Sequence, residues 1–146
     1  MDPATAIPRG ERLSVYADAG ARDLLVPWTA GRQRSARLTA ICSRYDTLAR
    51  QQPELRLEEW AVVVQMLGGL ATLGEARMLW AVLQDEARDG RAPPGIDPEK
   101  LAARLRALTS GELVAMLEVA DRVALAPGSI RERLAAAGVG RVGGGR

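Results

Sequence analysis

Apolar positions in this chain recur every three or four residues over most of its length, and in one short stretch they alternate. The first spacing lines one face of a helix, and strict alternation lines one face of a strand. The clearest stripe is Leu38, Ile41, Cys42, Tyr45 and Leu48, which predicts an amphipathic helix over about 35–50. A helix over 57–67 follows and stops at Gly68-Gly69, since glycine readily takes the left-handed conformation that closes a helix. The next runs over 74–88 with Ala76, Leu79, Trp80 and Leu83 inward. Asp97-Pro98 reads as a cap followed by a first-turn proline, opening a helix to about 107 with Leu101, Leu105 and Leu108 in line. Thr109-Ser110-Gly111-Glu112 is a capping box, in which hydroxyl and carboxylate each satisfy a free amide of the first turn. It launches a helix to Leu125 with Leu113, Met116, Leu117, Ala120 and Val123 buried, and Ser129-Ile130-Arg131-Glu132 repeats the pattern for a last short helix.

The N-terminal stretch is less regular. Residues 1–10 hold two prolines and a glycine without a period and read as a flexible leader. In RLSVY, 12–16, polar and apolar residues alternate beside β-favouring side chains. A lone strand leaves its backbone groups unpaired, and no second strand is visible. Either 12–16 is not a strand, or its partner is the same segment of another copy. Asp18 can cap a helix over 19–26, which Pro27 should disturb, and Gly31 marks a turn. The loop DGRAPPGIDP divides the middle of the chain, and the tail GVGRVGGGR reads as disordered by composition.

Composition narrows the chemistry. Hydrophobic residues make up 47% of the 146, almost all Leu, Ala and Val with no Phe, which favours closely packed helices. There is no His, so the commonest general base and metal ligand are both missing. The single Cys42 excludes an internal disulfide and a thiolate zinc site; in an apolar stripe it is expected to be buried and inert. A lone thiol, no secretory signal pattern and no apolar run near the ~20 residues needed to cross a bilayer point to the cytoplasm and away from membranes.

Net charge is +2 but unevenly spread: +3 over 1–52, −4 over 53–130 and +3 over 131–146. Of 20 basic residues 19 are Arg, which suits bidentate contacts to phosphate or base edges. A GC-rich genome gives the same excess, so the excess alone says little about partners.

Several apparent motifs do not carry chemistry. Gly138-Val139-Gly140-Arg141-Val142-Gly143 is formally GxGxxG, yet it follows a helix and meets no later one, where a dinucleotide site needs a strand before and a helix after. Glu58-Glu59 and Asp85-Glu86 are neighbours on helices and so diverge; they read as solvated or capping residues. Trp60 and Trp80 lie on apolar faces and read as core, while Trp28 has no such context. No serine or threonine has a nucleophile context, and the expectation is a non-enzyme without cofactor or metal.

One constellation stands out. RLSVY, then Gly31-Arg32-Gln33-Arg34-Ser35, then Leu38, Ile41, Cys42 and Tyr45 resembles the ribbon-helix-helix (MetJ/Arc-type) DNA-binding family, over 12–50. The resemblance implies a mainly α protein whose one short strand pairs across a homodimer, followed by a small multi-helix domain. It implies a module over 11–52; outside the resemblance, the residue pattern itself predicts a compact helical domain over 53–130, whose charge of −4 suits a surface for a protein partner, and a short helix with a Gly/Arg tail over 131–146. The resemblance further implies that Arg12, Ser14 and Tyr16 face the bases of a double-stranded operator. Arg32, Arg34 and Ser35 would meet phosphate, and Leu13, Val15, Leu38, Ile41 and Tyr45 would form the dimer core. The function implied is a dimeric repressor or antitoxin-like regulator reading the major groove. The alternative is a non-catalytic helical adaptor or inhibitor, of phage or plasmid origin, that does not bind DNA. The sequence departs from the family at Pro27, in a first helix about two residues short, and at Tyr16, where a polar or basic residue is usual.

Overall fold

In the computed structural model, which describes residues 19–29 and 33–139, every regular element is a helix. They are α1 (Ala19–Thr29), α2 (Arg34–Ala49), α3 (Leu57–Leu67), α4 (Leu73–Arg88), α5 (Pro98–Arg106), α6 (Ser110–Leu125) and α7 (Ile130–Ala136). No strand occurs among the described residues, and the alternating segment 12–16 lies outside them.

The helix starts follow from local chemistry. The side chain of Thr72 accepts from the Glu75 amide, and that of Asp97 from the amides of Glu99 and Lys100. Thr109 and Glu112 form the reciprocal box expected of them, and Ser129 accepts from the Glu132 amide. Each bond satisfies a first-turn donor that has no intrahelical partner, and α3 to α7 all carry an acid where the helix dipole favours one. The helix ends are equally local. At the end of α7 the Gly138 amide bonds the Ala135 carbonyl and the Val139 amide bonds the Leu134 carbonyl, with Gly138 at φ 84°. That is a Schellman closure, and its usual apolar contact is supplied by two buried side chains, Leu134 and Val139.

This closure corrects the reading of the tail as wholly disordered: 138–139 belong to the packed structure, and 140–146 lie outside the described residues. It also gives the first glycine of the formal GxGxxG a purely structural role. Pro27 is a second correction. The helix expected to be disturbed there continues to Thr29. Pro27 and Asp23, whose carbonyl a proline cannot serve, are both exposed, so water can take the missing donor's place.

The chain divides into two units, 1–42 and 43–146, so the division falls within α2, ahead of Pro53. In the first unit the described residues are α1 and the start of α2. The second holds the core, in which α6 packs against α3, α4 and α7, and α4 against α5. Val63 of α3, Leu83 of α4, Leu101 of α5, Met116 of α6 and Leu134 of α7 are all fully enclosed. Trp60 is buried as expected, whereas Trp80 is half-buried, with the Arg106 guanidinium 4.7 Å from its ring centroid. Leu108 and Leu117 sit half-buried at the margin of this core.

Of the Glu58-Glu59 pair, read as solvated or capping, Glu59 takes the capping role but is buried while doing so. Its side chain is 1% exposed. It accepts from the Arg56 backbone amide at 3.0 Å, completing the first turn of α3, and it pairs with the guanidinium groups of Arg56 and Arg104. Glu58, one residue earlier, is exposed.

Candidate functional site

The helix that the resemblance singles out, α2, is built differently from the helices of the core. It contains no buried residue. Leu38 is 39% exposed, Ile41 is half-buried, and Cys42 is exposed, which overturns the expected buried thiol. The amphipathic stripe has formed as the spacing predicts, but Leu38 and Cys42 on it stay exposed and Ile41 is only half-buried.

The start of α2 is also distinct. Gln33 takes a left-handed φ of 65° and its carbonyl accepts from the Arg37 amide at 3.0 Å, closing the first turn. That turn has no acid; it carries Arg34 and Arg37, with Ser35 between them, and all three are exposed. Positive side chains therefore sit at the positive end of the helix dipole, an arrangement that an incoming anion stabilises. Of the residues given DNA-facing roles by the resemblance, Arg34 and Ser35 are thus brought together here. Arg12, Ser14, Tyr16 and Arg32 lie outside the described residues, as do Leu13 and Val15 from the expected dimer core.

The last turns of α2 belong to the second unit and are held by it. The Tyr45 hydroxyl donates to Glu118 Oε2 at 2.7 Å, and Arg122 Nε donates to the other carboxylate oxygen at 3.0 Å. Leu48 and Gln51 approach the start of α6 at Gly111. A Cβ there would stand 2.0 Å from Gln51 Oε1 and 3.3 Å from a Leu48 methyl, so an alanine at 111 would require the flexible end of Gln51 to swing aside and Leu48 to give slightly. Sequence reasoning missed Gly111 and Glu118 as holders of α2. The available signal was a glycine inside an otherwise strong helix start, since glycine costs about 1 kcal/mol relative to alanine in a helix.

Burial first, and then the Glu118 carboxylate, push the Tyr45 phenol up to about 12. Its folded-state pKa lies above its unfolded value, so the stabilisation it brings is complete below the ordinary phenol range near 10 and is lost as pH rises toward 12. Denaturant titrations at rising alkaline pH should therefore show stability falling across this window. In Tyr45→Phe that part of the fall should disappear, together with one late tyrosinate absorbance step. An unchanged step in Tyr45→Phe would show that Tyr45 does not hold the raised value.

Among the described residues no helix is long and apolar enough to cross a membrane, and no group of three or more Cys, Asp or Glu is placed to hold a metal ion. Comparison with protein-family models, with curated proteins and with solved structures finds no match to this chain.

Proposed function

We propose that this chain is a cytoplasmic, homodimeric DNA-binding regulator of the ribbon-helix-helix type, a repressor or antitoxin-like protein without catalytic activity. The observation that carries the reading is α2: its apolar face leaves Leu38 and Cys42 exposed and Ile41 only half-buried, and its first turn presents Arg34, Ser35 and Arg37 without an acid. A second copy of the same helix supplies the cover. The ribbon formed by two copies of 12–16 then presents Arg12, Ser14 and Tyr16 to base edges in the major groove, which admits a two-stranded ribbon. Arg32, Arg34 and Ser35 meet the phosphates and set the register, without reading sequence.

The test is sizing in solution together with a gel shift on DNA from upstream of the protein's own gene. The expected result is a dimer whose binding weakens steeply with salt. Arg34→Ala should weaken all DNA about equally, whereas Arg12→Ala should lose about 1–3 kcal/mol of discrimination for the operator. Leu38→Glu should yield a monomer that no longer shifts the operator. A wild-type chain that shifts no DNA at low salt overturns the proposal.

A second reading has its own observation. Tyr45, assigned by the resemblance to the dimer core, bonds Glu118 of its own chain, so part of the stripe serves the second unit. In that reading the chain is an adaptor or inhibitor whose contacts are with protein, made by the acidic 53–130 region. A monomer by light scattering with no DNA affinity would favour it.

A further inference from the structure

We propose that the last turns of α2 carry an autoinhibitory latch, which holds half of the helix's pairing seam on α6 and so limits self-association of the chain. The inference rests on the homodimer reading above, in which a second copy of α2 covers this face.

The seam is written in the spacing. Leu38, Ile41, Tyr45 and Leu48 follow one another at intervals of three, four and three. That alternation is the one by which a helix packs lengthwise along another helix. The two halves of the seam are differently occupied. Leu38 is exposed and Ile41 half-buried. Tyr45 and Leu48 are engaged within the second unit: the Tyr45 hydroxyl donates to Glu118 Oε2 at 2.7 Å, and Leu48 lies against Gly111 at the start of α6. A second α2 lying along the whole seam has to displace α6 from these two side chains.

The attachment is of a kind that can let go. No residue of α2 is buried, so freeing its last turns exposes little apolar surface. The main polar tie is one bond from Tyr45 to a carboxylate, whose other oxygen accepts from Arg122 Nε at 3.0 Å. Glu118 is 24% exposed, so after release it keeps Arg122 and reaches water, and no buried charge is stranded. Glu59, enclosed beneath Arg104, has no such freedom.

The latch sets a threshold. A hydrogen bond to a charged acceptor biases the closed form by roughly tenfold or more. Only the open fraction pairs along the full seam, and the apparent dissociation constant of the dimer rises as that fraction falls. The regulator therefore assembles only once the chain has accumulated.

Sedimentation velocity over a dilution series of the full chain gives the test. Tyr45→Phe removes the hydroxyl and keeps the ring for the seam, whereas Glu118→Ala removes the acceptor from α6, outside the seam. Each should tighten the dimer about tenfold with an unaltered circular dichroism spectrum. The double variant should gain no more than either, because both open one latch. Adding Leu38→Glu to Tyr45→Phe should abolish the gain. A gain confined to one of the two single variants, no change in either, or a weaker dimer overturns the latch; a wild-type dimer that shifts DNA then leaves the regulator reading standing. If neither the wild type nor any variant associates, the latch and the homodimer reading fail together.

Discussion

Leu101→Ala should lower stability by about 3 kcal/mol, within the 2–5 kcal/mol typical of truncating a fully buried leucine. Leu101 is 0% exposed and lies on α5, the helix that packs on α4. Removing its branched end leaves a cavity that neighbouring Leu, Val and Met side chains fill only in part. For a folded unit with a total stability of about 5–15 kcal/mol, this is a large fraction, and the melting temperature should fall by roughly 10–20 °C. Urea denaturation checks it: the midpoint should drop while the denaturant slope stays constant. A loss below about 1 kcal/mol would show that α5 is not packed on α4 as described.

Arg104→Met should cost about 2–4 kcal/mol, more than is usual for a residue whose side chain is 47% exposed. The cost lies mainly in the partner. Glu59 is 1% exposed, and without Arg104 its charge keeps only the Arg56 amide and guanidinium as described partners. A buried charge short of partners is expensive, whereas a neutral amide in its place is far less so. Glu59→Gln in the Arg104→Met background should therefore recover part of the loss, and a double-mutant cycle should report a coupling of about 1.5 kcal/mol or more. If Arg104→Met shifts stability by less than about 0.5 kcal/mol, Arg56 alone satisfies the carboxylate.

These two positions differ in how far the sequence could disclose them. Leu101 is visible in advance, since Leu101, Leu105 and Leu108 fall in line behind a cap and a first-turn proline. Glu59 is not. As the third residue of a helix it reads as a first-turn acid, and nothing local distinguishes it from exposed Glu58. What separates them is Arg104, 45 residues away, which reaches Glu59 only because α3 and α5 join the same core.

The candidate site divides in the same manner. The α2 stripe and its basic first turn follow from spacing and residue type, and the helix formed over Arg34–Ala49 where 35–50 was expected. Cys42 did not follow. An amphipathic pattern states that a face is apolar, not that something covers it, so the thiol read as buried is exposed. The anchoring of Tyr45 on Glu118 and the close approach at Gly111 also depend on a segment distant in the chain.

The sequence alone determined the helical class, the positions of the helices over 57–136 to within a residue or so, and most of their caps. Each of these rests on interactions spanning about four residues or fewer. Tertiary structure alone decided which apolar faces are covered, which acid is buried, where the two units divide, and that Val139 closes the core. Those outcomes depend on which surfaces meet once the helices pack, and the spacing of residues along one helix holds no record of its neighbours.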